Sequence, residues 1–488
     1  MKRTGAVGAL LVALVLVGVV GAATRFANTE PDAAKQWYFD VDKAWSFWTT
    51  QPQLATVKVA VVDSGIDAGH PEFAGRIAGG KSFVGTPWDV DSDGHGTFVA
   101  GEIAANAANG VGIAGMAFNA QLLVAKVVEA DGNIPLRAEV DAIHWAVDNG
   151  ARVINLSLGA ARDPLNSRLD SFSPLEQAAV EYAYSKGAVV VAAVGNGPQS
   201  PATPWPFAGY PAALPHVLGV SAIRRDGSVP AYSNRDAVFN DIAAPGDAIF
   251  STIPRNLVSS DAGCASDPYS DCSESEEFRD AIGTSFAAPQ VAAAAALLIG
   301  QNPSLKPDQV TWLLERTAID EGPATGCVMC AGGRDRFSGW GRLDVAAALT
   351  RLTDGLQLPQ PDAYEPNDDA GPWSHAVPPL PRTVSATLDY WDDDVDVYRV
   401  NLARGQRLFL RLSTAFASAK LQLTLWRPAT MHVLPPHAVP HDRAAVGKRV
   451  HGQLRVAYRA RVAGTYFVEV RLDTQTANPL AYKLALSK

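Results

Sequence analysis

From residue 55 to about 250 the chain alternates short apolar runs with stretches of helical periodicity, and that alternation leaves few folds open to it. The runs are VKVAVVDSG, QLLVAKVVE, ARVINLSLG, GAVVVAAVGNG and HVLGVSAI. Continuous Val/Ile-rich segments without polar alternation suit strands covered on both faces, which means a parallel sheet. Between them lie GTFVAGEIAANA, LRAEVDAIHWAVDNG and SPLEQAAVEYAYSKG. The last carries a capping box from Ser173 to Glu176, Pro174 at the first helical position and Gly187 as a stop. Strands alternating with helices predict an α/β fold, a doubly wound, mostly parallel sheet flanked by helices over residues 55–350.

The texture changes at RLTDGLQLPQPDAYEPNDD, where Pro, Asp and Gln mark a linker at 351–363. Beyond it, strand-like runs separated by turn signals predict a C-terminal antiparallel β-sandwich over 364–488. There Tyr466, Val468 and Val470 alternate with Phe467, Glu469 and Arg471. With 488 residues, 47% of them hydrophobic, the chain can bury cores of this size in two domains.

The N-terminus reads as an export segment. Lys2 and Arg3 precede an apolar run to about Val20, then Gly21, Ala22 and Ala23, which suits a signal peptide of residues 1–23 cleaved after Ala23. The uncharged stretch is also long enough to stay as a membrane anchor facing outside. Residues 24–54 follow as an N-terminal extension. In an exported chain the even set Cys264, Cys272, Cys327 and Cys330 suggests two disulfides, with the local pairs 264–272 and 327–330 preferred; a zinc site is the alternative. The net charge of −9 argues against nucleic-acid partners. A monomer is expected.

Chemistry enters at AIGTSFAAPQVAAAAALLIG. Three poor helix formers, Gly283, Thr284 and Ser285, stand before an Ala-rich run that ends at Gly300 and Pro303. Ser285 is therefore expected in the first turn of a helix, where unpaired N–H groups and the dipole favour negative charge developing beside its hydroxyl. A capping serine has the same pattern. A nucleophile would further need a base, a group orienting that base, and oxyanion donors. In parallel sheets reactive groups gather at the carboxyl ends of the strands. VAVVDSG delivers Asp63 there, VVVAAVGN delivers Asn196, and VINLSLG presents Ser157, Leu158 and Gly159. DSDGHGTFVAGEIA places His95 between two glycines, with His70 its nearest rival.

VAVVDSGID, DGHGTFVAG, VVAAVGN and GTSFAAPQVA together resemble the subtilisin-like serine proteases, in that family's order of Asp, His and Ser. The resemblance implies that Ser285 is the nucleophile, His95 its base, Asp63 the group that orients the imidazole, and Asn196 an oxyanion donor together with the Ser285 N–H. It implies protein or peptide substrates held as an added strand between Ser157–Gly159 and the segment Ala192, Ala193, Val194 and Gly195. Leu158, Ala192, Ala193 and Val194 would wall an apolar pocket. An inactive, protease-like binding scaffold is the alternative.

Three features depart from the family pattern. Phe98 stands where many relatives carry a second histidine. Only residues 24 to about 35 are available for a propeptide before KQWYFDVDKAWSFW, which resembles a mature N-terminus. The acidic, cysteine-bearing insert at 257–280 is either a lid or a solvated loop. No cofactor is implied for catalysis. Calcium, the family's usual stabilising ion, would take oxygen from Glu72 and the loop 108–113, with Gln36 a further ligand; an ion-free loop is the alternative. The tail resembles the bacterial pre-peptidase C-terminal domain, in which Glu365, Asn367, Asp368, Asp393 and Asp394 would be calcium ligands; solvated turn carboxylates are the alternative. Substrate binding, secretion, or no role after removal all remain open for that domain.

Overall fold

The computed structural model describes residues 26–166, 168–257, 277–355, 358–360, 362–365, 367–391, 393–416, 419–433, 440–474, 476 and 479–488. The export segment, Cys264, Cys272 and residues 258–276 of the acidic insert lie outside them.

Seven strands form one parallel sheet: β1 (Val57–Asp63), β2 (Ile77–Ser82), β3 (Ala120–Lys126), β4 (Val153–Leu156), β5 (Val189–Ala193), β6 (Val217–Ile223) and β7 (Ile242–Pro245). Their order is β2-β3-β1-β4-β5-β6-β7, so β1 lies inside the sheet. Among the described residues seven α-helices accompany them: α1 (Tyr38–Val41), α2 (His95–Ala104), α3 (Leu136–Asp148), α4 (Pro174–Ser185), α5 (Ala288–Gln301), α6 (Pro307–Thr317) and α7 (Val345–Thr353). β8 (Ile249–Thr252) and β9 (Phe278–Ala281) form an antiparallel pair.

Alternation along β1 explains the two layers. Val59 and Val61 enter the core shared with α2 and α5, while Ala60 and Val62 enter the core shared with α3 and α4. α5 is buried from Ala288 to Gly300, which is why its sequence is apolar on every side. Five of the seven strands coincide with the apolar runs read from the sequence. The other two, β2 (IAGGKS) and β7 (IAAP), are the sheet's edges. β2 pairs with β3 and tolerates its glycines at the edge, while β7 pairs with β6 and, through a short parallel bridge from Ala243 to Arg342, with a later segment, its proline falling at the strand's end.

The segment expected as an N-terminal extension is woven into this core. Trp37, Tyr38, Phe39, Trp45 and Trp48 are buried in it. Their polar atoms are satisfied there: Trp45 Nε1 donates to the Met116 carbonyl at 2.8 Å and the Tyr38 hydroxyl to the Phe250 carbonyl at 3.1 Å.

The C-terminal part is a sandwich of two five-stranded sheets. Its strands are β10 (His375–Ala376), β11 (Arg382–Leu388), β12 (Val395–Leu402), β13 (Arg407–Thr414), β14 (Leu421–Trp426), β15 (Arg443–Val446), β16 (Lys448–Val450), β17 (Gln453–Arg459), β18 (Gly464–Leu472) and β19 (Leu480–Ser487). One sheet runs β10-β12-β18-β14-β15 and the other β11-β19-β13-β17-β16; every pairing is antiparallel except the short β10–β12 pair. Leu408, Leu410 and Leu412 of β13 enter the shared core, opposite Tyr398 and Val400 of β12. The sandwich meets the first domain through His216 Nε2 and Asp368 Oδ2 at 2.8 Å, and through the rings of Trp340 and Trp391, 4.4 Å apart.

Candidate active site

β1 ends in Asp63, whose side chain is almost wholly buried at the carboxyl edge of the sheet. α2 begins at His95, and its first turn is tied to the end of β1 by Asp91. The Asp91 carboxylate accepts from Ser64 Oγ at 2.9 Å, Gly94 N at 2.9 Å, Thr97 N at 2.9 Å and Thr97 Oγ1 at 2.7 Å. Gly96 permits the approach, because a Cβ there would lie 2.2 Å from the Gly65 carbonyl oxygen. As a result His95 Nδ1 stands 2.8 and 2.9 Å from the two oxygens of Asp63. Burial opposes a charge on this imidazole, but the Asp63 carboxylate, by its field and its hydrogen bond, outweighs burial with help from Asp93 and Asp91. The net effect holds the His95 pKa above its ordinary value.

Ser285 lies in a 3₁₀ turn, Thr284–Phe286, just ahead of α5 rather than inside its first turn. The helix itself starts at Ala288, with Pro289, lacking an N–H, in its first turn. The turn is held from two strands. Ser157, just past β4, donates its hydroxyl to the Ser285 carbonyl at 2.6 Å, and Asn155 Nδ2 donates to Ser157 Oγ at 2.9 Å. Asn196, just past β5, accepts at Oδ1 from Thr284 N at 2.9 Å and Thr284 Oγ1 at 3.1 Å.

Asp63, His95, Asn196 and Ser285 line one cleft of about 290 Å³, together with Ser157, Leu158, Gly159, Ala193 and Gly195. Ala192 and Val194 do not line it, which corrects the expected pocket: both are fully buried in the core beneath α3 and α4. Successive side chains of a strand point to opposite faces, so only Ala193 of the three can look toward the cleft. Gly195 has φ +96, a backbone that favours glycine, and a Cβ there would lie 2.8 Å from Asn234 Nδ2. His70 is buried elsewhere, bonded through Nδ1 to Glu72 N at 3.2 Å. Phe98 is buried on α2, its ring 4.5 Å from that of Phe286.

Sequence reading missed Asp91 and Asn234, which also lines the cleft and donates to the Val194 carbonyl at 3.1 Å. The signal for Asp91 was present: an acidic residue a few positions before a helix start is a capping pattern.

Neither expected set of calcium ligands survives intact. Glu72 is buried with Oε1 accepting from Ile113 N at 3.0 Å and Oε2 from Asn109 Nδ2 at 2.9 Å. Gln36 Oε1 accepts from Ala114 N at 2.9 Å. Protein N–H donors reach these oxygens, and among the described residues no group of three carboxylate, histidine or cysteine ligands gathers around Glu72. In the sandwich, Asp394 sits 3.8 Å from Arg471 instead of joining its neighbours. Glu365, Asp368 and Asp393 do converge, with ligand oxygens within 4.8 Å of one another, and Asp362 and Asp396 form a second cluster around Glu365. Glu365 Oε1 and Asn367 Oδ1 are buried there without a hydrogen-bond partner. An oxygen-only donor set with buried unsatisfied atoms fits a hard divalent cation. Cys327 and Cys330 are disulfide-bonded, as preferred from the sequence.

The model of the subtilase family matches residues 55–341. Subtilisin DY of Bacillus licheniformis is 36% identical over 269 residues, 55% of this chain and 85% of the relative. Thermitase of Thermoactinomyces vulgaris is 37% identical over 251 residues, 51% of this chain and 76% of the relative. The thermophilic serine proteinase of Bacillus sp. (strain AK1) is 35% identical over 255 residues, 52% of this chain, and the match spans 55% of its length. A solved structure titled as proteases from Pseudoalteromonas arctica PAMC 21717 is 26% identical, with TM-score 0.54, covering 67% of this chain and 100% of the other. The crystal structure of a lanthipeptide protease, 24% identical with TM-score 0.52 over 66% of this chain and 95% of the other, shares the fold. This chain belongs to the subtilase family and is a serine-type endopeptidase.

Proposed function

We propose that the chain is an exported endopeptidase in which Ser285 attacks the scissile carbonyl and forms an acyl-enzyme. His95 takes the Ser285 proton and returns it to the leaving amine. Asp63 holds the imidazole with Nδ1 protonated and stabilises its cation. Asn196 and the Ser285 N–H donate to the oxyanion. Water, activated by the same imidazole, then releases the acyl group. An extended peptide lies between Ser157–Gly159 and Ala193–Gly195, with an apolar side chain against Leu158 and Ala193.

The observation that carries the reading is the contact of both Asp63 oxygens with His95 Nδ1, at 2.8 and 2.9 Å, in the cleft that also holds Ser285. Ser285→Ala tests it: casein hydrolysis and fluorophosphonate labelling are lost while the circular dichroism spectrum is kept. Activity persisting in the variant refutes the assignment, and wild-type protein that never labels supports a binding scaffold instead.

In this reading residues 1–23 direct export, 55–350 form the protease domain with 26–54 packed on it, 351–363 link, and 364–488 form the accessory sandwich. Among the described residues no helix is long and apolar enough to cross a membrane. Glu365, Asp368, Asp393 and Asn367 would hold calcium, which would neutralise their mutual repulsion where the two domains meet.

A further inference from the structure

The five strands of the β11-β19-β13-β17-β16 sheet contain no Asp or Glu, in a chain whose net charge is −9. They carry Arg382, Arg407, Arg411, Lys448, Arg449, Arg455, Arg459 and Lys483, every one exposed. The pairing register sets like charges directly opposite one another: Arg407 faces Arg459, Arg411 faces Arg455, and Arg455 faces Lys448. Such cross-strand pairs are destabilising. The few hydrogen bonds here go to neutral groups, Arg455 to Gln453 Oε1 at 3.1 Å and Arg459 to the Gly405 carbonyl at 3.0 Å. Above the strands lies an open trough of about 1150 Å³ bordered by Arg382, Phe409, Arg411, Lys448, Val450 and Arg455. Phe409, 41% exposed, is the apolar centre of the charged rows.

We propose that this outer face is an exosite for extended acidic segments of protein substrates. Along β13, Arg407, Phe409 and Arg411 project from one face at every second residue. An extended polypeptide repeats its own side chains with the same spacing. An acid–x–apolar–x–acid segment laid along β13 therefore sets one carboxylate over each arginine and an apolar group on Phe409. Because opposite charge would relieve the cross-strand repulsion, the ligand stabilises the sheet as it binds. The protease reading enters only in the choice of polypeptide as ligand.

Binding is measured on full-length Ser285→Ala protein, so it does not depend on turnover. The probe is a fluorescein-labelled peptide repeating Glu-Ser-Leu-Ser, with Gln-Ser-Leu-Ser as control. The Glu peptide should bind, weaken as salt rises, and lose about tenfold in affinity in Arg411→Glu or Arg407→Gln. Arg411→Glu creates an opposite-charge pair with Arg455, so its Tm holds or rises. In active protein these substitutions leave the kcat/KM of a short chromogenic peptide unchanged and raise KM for a substrate tailed with the Glu repeat. Equal binding of the Gln peptide, unchanged affinity in both variants, or tighter binding to single-stranded oligonucleotides or phosphatidylserine vesicles overturns the proposal. Binding without any hydrolysis by wild-type protein would sink the protease reading and leave this one standing.

Discussion

Asn196 Oδ1 accepts from both the backbone N–H and the hydroxyl of Thr284, at 2.9 and 3.1 Å, so the residue preceding Ser285 fixes the carbonyl end of the amide. The Nδ2 end keeps its two donors for a ligand. Asn196→Ala should lower kcat by about 10²- to 10³-fold with little change in KM, a magnitude taken over from the loss of a comparable donor in a subtilisin. Thr284→Val removes only the hydroxyl contact and should cost far less. Steady-state kinetics on a peptide anilide distinguish the two; equal, small losses would remove Asn196 from the oxyanion site.

The raised His95 pKa fixes the acid limb of the pH profile. The imidazole acts as a base only when neutral, so kcat/KM rises with pH through a midpoint above about 6.5, the unperturbed histidine value. Stability runs the other way. The His95 cation paired with Asp63 contributes fully below the unfolded pKa, and that contribution is lost as pH rises through the higher folded value. In Asp63→Asn the field is gone and burial dominates, so the limb moves to lower pH and kcat falls by about 10⁴-fold. A pH–rate profile checks both; a limb unmoved by the substitution would mean another group is titrating.

Removing divalent cations should destabilise the sandwich. With the Glu365, Asp368 and Asp393 cluster as ligand set, free calcium at a hundredfold excess over Kd adds about 3 kcal/mol to stability. EDTA should therefore lower Tm in the wild type, and calcium should restore it. The Asp368→Asn/Asp393→Asn double variant should show no EDTA response, whereas Glu72→Gln should keep it. An EDTA effect unchanged in the double variant would move the ion elsewhere.

What the sequence made legible follows from where each signal is encoded. β1, β3, β4, β5 and β6 are apolar runs buried on both faces, so their composition declares them; β2 is partly exposed and carries two glycines, and β7, though buried, is four residues long and ends in proline. Asp63, His95 and Ser285 each sit at a strand or helix boundary, which the sequence displays. Their convergence rests on pairings between distant segments, such as Ser157 with the Ser285 carbonyl. Ala192 and Val194 are as apolar as Ala193 in the sequence, and alternation along the strand turns them away from the cleft. Asp394 looked like its neighbour Asp393, yet adjacent residues diverge, and Arg471, far along the chain, takes it. The basic face was invisible for a related reason: Arg411, Lys448 and Arg455 become neighbours only through strand register.

Two substitutions on α2 separate positioning from packing. Gly96→Ala would force a Cβ to within 2.2 Å of the Gly65 carbonyl, a backbone atom that cannot swing aside. The turn after β1 and the first turn of α2 must then part, and that movement acts on the contact between His95 and Asp63. Overpacking of this kind costs about 1–3 kcal/mol in stability, and the acid limb should shift toward lower pH as the carboxylate recedes. Phe98→Ala instead empties space against Phe286, whose ring also lies 5.4 Å from that of His95, while removing neither contact between His95 and Asp63. It should cost about 3–5 kcal/mol and leave the limb where it was. Thermal denaturation and pH–rate profiles of the two proteins decide the matter. If Phe98→Ala moved the limb while Gly96→Ala did not, close approach of α2 to β1 would not be what sets the His95 pKa.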